Sequence, residues 1–148
     1  MKRLLIANRG EIALRIARTA RELGIASVGI FSPEDEALAT GYACEEVAAL
    51  SGQGAAAYLD VTALIDLARD RSCDALHPGY GFLSESPELA RACETAGILF
   101  VGPAPETLTL FGDKSKARAQ ATALEIPVVA GIGMGEHAHV QNIKTKRW

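Results

Sequence analysis

Short apolar runs recur along the chain, and segments with helical spacing separate them. The runs occupy residues 4–7, 26–31, 47–50, 75–76 and 98–101, and turn residues follow each of them. Continuous apolar runs of this length are typical of strands that are buried on both faces of a parallel sheet. The alternation of strands and helices predicts an α/β fold, an open parallel sheet with helices on both faces.

Five segments have the period of a helix. They cover residues 11–23, a stretch that begins near residue 60, and residues 87–96, 106–111 and 115–124. Gly24 and Gly97 follow two of these segments, as glycine commonly does at a helix C-terminus. Asp60 and Ser86 stand where N-caps are expected, and Pro87 suits a first turn. Residues 126–129 are predicted to be one further extended segment.

The alternation ends after residue 101, and the chain divides into three predicted parts. Residues 2–103 contain all five predicted strands, and residues 104–132 contain a linker followed by two helices. Residues 133–148 show no apolar period and are basic, so we expect them to be disordered or foreign to the domain. His137 and His139 lie in this tail without a neighbouring acid or cysteine, and no metal site is expected there.

Composition narrows the classes of protein that this chain can be. With 148 residues, 49% hydrophobic and 22% charged, it resembles one ordinary globular domain with a tail. The formal net charge is −3, so the chain lacks the excess of basic residues that is typical of a nucleic-acid-binding protein. No apolar run approaches the length of a membrane span, and the apolar start is too short for a secretory signal.

Three cysteines, Cys44, Cys73 and Cys93, are widely spaced and odd in number. This pattern favours neither a disulfide framework nor a zinc site. We expect three reduced thiols in a cytoplasmic protein.

The turn at residues 8–11 joins the first strand to the first helix and is a candidate phosphate site, because amides at a helix N-terminus attract anions. Only Gly10 of the three glycines of the dinucleotide fingerprint is present. The alternative interpretation is a tight turn in which Arg9 is tied to nearby carboxylates or carbonyls.

Residues 77–85 directly follow the fourth predicted strand and form a second candidate site. Ligands of open parallel sheets bind outside the carboxyl ends of the strands. Gly79 and Gly81 flank Tyr80 and would let the backbone approach a ligand closely. The alternative is that His77 is a hydrogen-bonded structural histidine and Tyr80 a packing aromatic.

Charged positions supply two further candidates. The first is a stripe on one face of the first helix, spaced for the intrahelical pairs Glu11–Arg15 and Arg18–Glu22. It forms either a solvated face or a polar oligomer interface. The second is Lys114, which follows a glycine turn and either reaches a phosphate or is an ordinary surface lysine.

Four segments together resemble the N-terminal part of biotin carboxylases, over about residues 2–132. They are Leu5-Ile6-Ala7-Asn8-Arg9-Gly10-Glu11-Ile12-Ala13, residues 77–85, Phe100-Val101-Gly102-Pro103 and Gly112-Asp113-Lys114. The family includes subunits or domains of acyl-CoA and pyruvate carboxylases. The resemblance implies that residues 2–103 are the Rossmann-like pre-ATP-grasp domain. It also implies that residues 104–132 lead toward an ATP-grasp domain that is absent here.

The resemblance implies a function for the complete enzyme and roles for six residues. Enzymes of this family use ATP, Mg²⁺ and bicarbonate to carboxylate biotin on a carrier domain. Lys114 matches the lysine that contacts the nucleotide phosphates, and Tyr80 and Gly81 match the loop beside biotin and bicarbonate. Arg15, Arg18 and Glu22 match positions of the family's homodimer interface, which shifts the interpretation of the stripe toward an interface.

The chain departs from the family after residue 129, where no glycine-rich phosphate loop and no magnesium-binding glutamates follow. We therefore expect this chain alone to have no catalytic residues, to bind none of these cofactors and to be inactive. Its expected partners are the ATP-grasp and C-terminal parts, the biotin carrier domain and the carboxyltransferase. The alternatives are a stand-alone, non-catalytic binding or assembly module and, less favoured, a dinucleotide-binding oxidoreductase domain.

Overall fold

A five-stranded sheet organises the protein, whose computed structural model describes residues 1–39 and 41–129. The strands are β1 (Arg3–Ile6), β2 (Ala26–Phe31), β3 (Glu46–Ala49), β4 (Ala75–His77) and β5 (Leu99–Phe100). Their order across the sheet is β3-β2-β1-β4-β5, and every neighbouring pair is parallel. The α/β fold and the parallel sheet that the sequence predicts are confirmed.

Seven helices are described with this sheet. They are α1 (Gly10–Glu22), α2 (Glu36–Ala39), α3 (Gly54–Ala57), α4 (Val61–Asp70), α5 (Pro87–Ala96), α6 (Pro105–Phe111) and α7 (Lys114–Ala123). A 3₁₀ turn over Pro33–Asp35 precedes α2. The longer helices lie within a residue or two of the predicted segments, whereas α2 and α3 are too short to show a helical period.

Alternate residues of β1 point to opposite faces of the sheet and enter two separate cores. Leu5 packs in a cluster with residues of α4 and α5, among them Leu64 and Leu89. Leu4 and Ile6 pack on the other face, against the alanines of α1 and Tyr42. Because the side chains of β1 are buried on both faces of the sheet, its sequence is a continuous apolar run.

The predicted caps of two helices are confirmed. The Asp60 side chain accepts a hydrogen bond from the Ala63 amide at 3.0 Å, and Ser86 Oγ accepts one from the Leu89 amide at 3.1 Å. Gly97 ends α5 with a φ of 70°, the left-handed conformation that glycine adopts without strain.

Two expectations differ from the structure. Strands β3 and β5 are not buried on both faces: they are the two edge strands, with Val47 39% exposed and Leu99 57% exposed. Residues 126–129 are exposed and belong to no strand. Pro127 lacks the amide that a sheet ladder needs, which opposes pairing there.

The chain divides into two units, Met1–Thr109 and Leu110–Trp148. The predicted domain boundaries at residues 103 and 132 stay a prediction. The predicted tail over 133–148, with His137 and His139, lies outside the described residues. Within residues 1–39 and 41–129, no helix combines the length and the apolar character that a membrane span requires.

Candidate functional site

The order of the strands reverses between β1 and β4, and this point locates the candidate site. From β1 the chain proceeds outward through β2 to β3, whereas β4 and β5 lie on the other side of β1. Ligands of open parallel sheets bind in the crevice beyond the carboxyl ends at such a point. The segments that leave β1 and β4 there are residues 7–10 and 78–85, so the structure brings the two candidate loops together.

Asn8 links the two loops. Its side chain is fully buried, and Nδ2 donates to the carbonyls of Pro78 at 2.7 Å and Tyr80 at 3.0 Å. Its Oδ1 accepts a hydrogen bond from the Arg9 amide at 2.9 Å. A buried amide group with all these partners is stabilising, whereas an unpaired one would be costly. Asn8 therefore fixes the loop after β4 onto the turn after β1.

Gly79 allows the loop to approach Asn8 closely. Its φ is +69°, and a Cβ built at this position would lie 2.6 Å from Nδ2 of Asn8. The Gly79 amide donates to Nδ1 of His77 at 2.9 Å, so Nδ1 carries no proton. Burial lowers the pKa of His77, which also favours the neutral ring. The interpretation of His77 as a hydrogen-bonded structural histidine is confirmed.

Tyr80 and Gly81 form the outer part of the loop. Tyr80 is 61% exposed and is not the packing aromatic of the alternative interpretation. Its hydroxyl donates to Oε1 of Glu11 at 3.1 Å, and this hydrogen bond raises the pKa of Tyr80. Gly81 has a φ of +71°, and no heavy atom outside residues 80–82 lies within 4 Å of a Cβ placed there. The loop thus presents an aromatic ring beside open backbone.

Arg9 forms the ionic centre of the turn after β1. Its Nη1 lies 2.8 Å from Oδ2 of Asp35, and this hydrogen bond holds the pKa of Asp35 below its usual value. The guanidinium also lies 5.5 Å from the ring centroid of Tyr58 and 5.6 Å from that of Phe82, and these two rings are stacked. The interpretation of Arg9 as tied to a nearby carboxylate is confirmed.

Side chains that sequence reasoning missed complete this centre. The Tyr58 hydroxyl donates to Asp35 at 2.9 Å and accepts from the Ser32 amide at 3.0 Å. Burial raises the pKa of Tyr58 to about 12, so the hydroxyl keeps its proton. The sequence signal that could have pointed to Asp35 is its position as an acidic residue shortly after the second strand.

Two of the amides at this turn are engaged by the protein's own groups. The Gly10 amide donates to the Tyr42 hydroxyl at 2.8 Å, and the Arg9 amide donates to Asn8. A phosphate bound by the Arg9 and Gly10 amides would have to displace these bonds. The geometry therefore opposes the dinucleotide-binding alternative.

The charged stripe on α1 lies at the surface. Arg15, Arg18 and Glu22 are exposed, and no ion pair joins Glu11 to Arg15 or Arg18 to Glu22 within the described part of the chain. The predicted intrahelical pairs are therefore wrong. Exposed pairs gain little over hydration, and Glu11 instead accepts from Tyr80.

Arg15 and Tyr80 border one groove of about 410 Å³. Its remaining lining is largely apolar and comes from α1 and the strands beside it, including Leu4, Ile12 and Ile16. The stripe predicted as an interface and the loop predicted as a ligand site are thus adjacent in the first unit.

Lys114 is the first residue of α7 in the second unit. It is exposed, and its ammonium group has no partner among the described residues. The Asp113 side chain caps this helix by accepting from the amides of Ser115 at 2.9 Å and Lys116 at 3.1 Å. A carboxylate therefore occupies these amides, whereas the Lys114 ammonium, unpaired among the described residues, is free to meet an anion.

Metal-binding groups do not converge in the described residues. No cluster of three or more histidine, cysteine or carboxylate side chains is found in residues 1–39 and 41–129. Cys44, Cys73 and Cys93 are free thiols, and Cys73 and Cys93 are buried.

Sequence comparison identifies relatives that match most of the chain. The family model "Biotin carboxylase, N-terminal domain" matches residues 1–108. Pyruvate carboxylase of Bacillus subtilis is 49% identical over 134 residues, 88% of this chain and 12% of that protein. Human mitochondrial pyruvate carboxylase is 46% identical over 88% of this chain and 11% of its own length. Biotin carboxylase of Halalkalibacterium halodurans is 44% identical over 88% of this chain and 29% of its length.

Solved structures agree with this similarity. The biotin carboxylase domain of a single-chain bacterial carboxylase is 52% identical, with a TM-score of 0.85 over 89% of this chain and 31% of that one. A biotin carboxylase domain dimer of Hydrogenobacter thermophilus 2-oxoglutarate carboxylase, in complex with MgADP, ADP and bicarbonate, is 37% identical. Its TM-score is 0.85, over 88% of this chain and 29% of that one.

The chain spans 12% of the Bacillus pyruvate carboxylase and 29% of the Halalkalibacterium biotin carboxylase. The matched family model covers most of its length and all five strands. The chain therefore belongs to the biotin carboxylase N-terminal domain family.

Proposed function

We propose that this chain serves as the N-terminal part of a biotin carboxylase, which uses ATP and bicarbonate to carboxylate carrier-bound biotin. The observation that carries the proposal is the family match over residues 1–108, which includes the exposed loop at the point where strand order reverses. The loop supplies binding groups and the rest of the enzyme supplies the remaining chemistry. Tyr80 and Gly81 would form one side of the biotin and bicarbonate site.

The exposed ring of Tyr80 and the open backbone at Gly81 support that role, because a flat ureido ring can pack on an aromatic face. In a complete biotin carboxylase that carries this domain, we expect Tyr80→Ala to raise KM for biotin without changing KM for ATP. Leu83→Ala, in the same loop but packed on the core, is the matched control. An unchanged KM for biotin in Tyr80→Ala would contradict the assigned role.

Lys114 is proposed to contact the nucleotide phosphates as a point charge. Its ammonium is unpaired among the described residues, whereas the neighbouring Lys116 lies 3.9 Å from Asp113. We expect Lys114→Met to raise KM for ATP and the matched Lys116→Met to leave it unchanged. Equal effects of the two variants would show a general loss of positive charge instead of a specific contact.

We propose that Mg²⁺ is held chiefly by other parts of the complete enzyme, since residues 1–39 and 41–129 contain no cluster of three or more histidine, cysteine or carboxylate side chains. Phosphoryl transfer needs such cations around the transferring group. We therefore propose that this chain alone does not carboxylate biotin. Purified chain should release no ADP in a bicarbonate- and biotin-dependent manner, and such release from material free of complete carboxylase would refute the proposal.

The stripe of Arg15, Arg18 and Glu22 is proposed to take part in a homodimer interface. All three side chains are exposed and without ion-pair partners in the described residues, so they are available to a second subunit. In the complete enzyme, Arg18→Glu should shift sedimentation toward the monomer. Thr19→Glu, exposed at the neighbouring position, is the control. Unchanged sedimentation of Arg18→Glu would make the interface proposal wrong.

The alternative function is a stand-alone binding or assembly module. An immunoblot of the source organism with an antibody against residues 1–132 separates the two. A band several-fold larger than 15.6 kDa supports the enzyme proposal. A band near this mass supports the module, for which the partner would then be sought on the groove beside α1.

The proposed partners are the ATP-grasp and C-terminal parts, a biotin carrier domain and a carboxyltransferase. Among the relatives, multidomain carboxylases support these partners. The cytoplasmic location also stays a proposal, supported by three free thiols, while one human relative is mitochondrial. Fractionation of the source cells tests this location.

A further inference from the structure

We infer that Asn8 is a positioning residue that orients the peptide bond between Tyr80 and Gly81, so that the Gly81 N–H points outward to a ligand. The inference deepens the function proposed above and rests on it for the identity of the ligand. The orientation itself rests only on geometry in the first unit.

The first step concerns the two sides of one peptide bond. The Tyr80 carbonyl accepts a hydrogen bond from Nδ2 of the fully buried Asn8 at 3.0 Å. In a trans peptide, the carbonyl and the following N–H point in opposite directions. Because the carbonyl points inward to Asn8, the N–H of Gly81 points away from it.

The second step concerns what surrounds that N–H. No acceptor for it is found among the described residues, and no heavy atom outside residues 80–82 lies within 4 Å of the position of a Cβ on Gly81. The Gly81 carbonyl is engaged, because it accepts from the Ser84 amide at 2.9 Å. The loop therefore exposes the Gly81 N–H beside the Tyr80 ring, in an orientation that the Asn8 hydrogen bond sets.

The third step explains why asparagine suits this position. Asn8 donates two hydrogen bonds to carbonyls and accepts one from the Arg9 amide. The side chain at this position must therefore both donate and accept hydrogen bonds, as an amide group does. An aspartate of the same shape would place a buried carboxylate against two carbonyl oxygens. The outward N–H then suits an acceptor such as a bicarbonate oxygen or a ureido carbonyl.

The unmutated 148-residue chain provides the first test, by amide proton exchange in NMR. We expect the Asn8 side-chain NH₂ protons to be protected and the Gly81 amide to exchange without protection. The Gly79 amide, which donates to His77, is the internal control and should be protected. Protection of the Gly81 amide equal to that of Gly79 would overturn the inference.

The second test changes Asn8 itself. In Asn8→Ser, the residual dipolar coupling of the Gly81 N–H should change, because the peptide plane loses its inward anchor. Ser32→Ala, which also alters a fully buried polar residue at a strand end, should leave that coupling unchanged. A folded Asn8→Ser with an unchanged Gly81 coupling would overturn the inference, and an unfolded one leaves the exchange test to decide.

The third test uses a complete biotin carboxylase that carries this domain. Asn8→Ser should raise KM for biotin or bicarbonate about three- to tenfold, the equivalent of one hydrogen bond, and leave KM for ATP unchanged. If the coupling changes and neither KM does, the positioning stands and the proposed ligand site of the loop is wrong. If the coupling is unchanged, the positioning is wrong whatever the kinetics.

Discussion

The hydroxyl of Tyr80 donates a hydrogen bond to Oε1 of Glu11 at 3.1 Å and so joins the loop after β4 to the first turn of α1. The bond raises the pKa of Tyr80, because ionisation would bring two negative charges together. In Glu11→Gln we expect this pKa to fall toward its ordinary value of about 10.

A pH titration of phenolate absorbance measures that change, and Tyr80→Phe identifies the contribution of Tyr80 to the curve. Arg15→Gln is the opposite control, since Arg15 is a nearby cation that lowers the pKa of Tyr80. Superimposable titrations of Glu11→Gln and the parent chain would show that the bond does not persist in solution.

The two glycines beside Tyr80 are expected to differ in their sensitivity to substitution. Both have positive φ, so alanine costs about 1–2 kcal/mol of unfolding free energy at either site. At Gly79 the added methyl also meets Asn8, which would disrupt buried hydrogen bonds and raise the cost to about 3–5 kcal/mol. Urea unfolding of Gly79→Ala and Gly81→Ala measures the difference, and equal losses would contradict the close approach.

His77 is expected to make the protein less stable in mild acid. Burial lowers its pKa in the folded state, so the unfolded chain, with an ordinary pKa of about 6.5, binds the proton first. The free energy of unfolding should be independent of His77 above about pH 7 and fall as the pH decreases below about 6.5.

His77→Asn provides the control for this effect, because its side-chain oxygen can accept the Gly79 amide and does not titrate. Carboxylates with lowered pKa, such as Asp35 and Asp74, act in a more acidic range, below about pH 4. Urea unfolding at several pH values compares the two chains, and identical pH profiles between about pH 5 and 7 would exclude the effect.

Arg9 should not be replaceable by lysine without loss. A lysine keeps the charge near Asp35 but lacks the planar group that lies over Tyr58 and Phe82. We expect Arg9→Lys to lower the unfolding free energy by about 1–2 kcal/mol. Arg18→Lys, at an exposed position, should change it by less than about 0.5 kcal/mol, and a similar loss in both would contradict the stacking argument.

The sheet was predictable because its signals are local. The runs over β1, β2 and β4 are buried by neighbours on both faces, and such burial leaves a continuous apolar pattern in the sequence. Caps such as Asp60 depend only on the residues beside them. Strands β3 and β5 lie at the two edges, which no local pattern reveals, and their exposed sides were not foreseen.

The candidate site was predictable only as two separate loops. The order of the strands brings Asn8 and Pro78 together. No spacing pattern in the sequence predicts a hydrogen bond between residues so far apart. The hydrogen bonds of the Tyr42 hydroxyl with Gly10 and of the Tyr58 hydroxyl with Asp35 likewise join residues that are distant in sequence. Side chains that act through tertiary contacts have no periodic signature, so only the structure reveals them.

The central place of β1 in the sheet has a consequence for synthesis on the ribosome. Strand β1 emerges before the other four strands, and β2 can pair with one of its edges soon afterwards. Its other edge pairs with Ala75–His77, and these residues emerge only after α4 has been made. Until then the nascent chain carries an apolar strand with an open edge, the kind of segment that pairs with other chains or recruits chaperones. A pause in translation before β4 would therefore expose this domain to aggregation more than a pause after it.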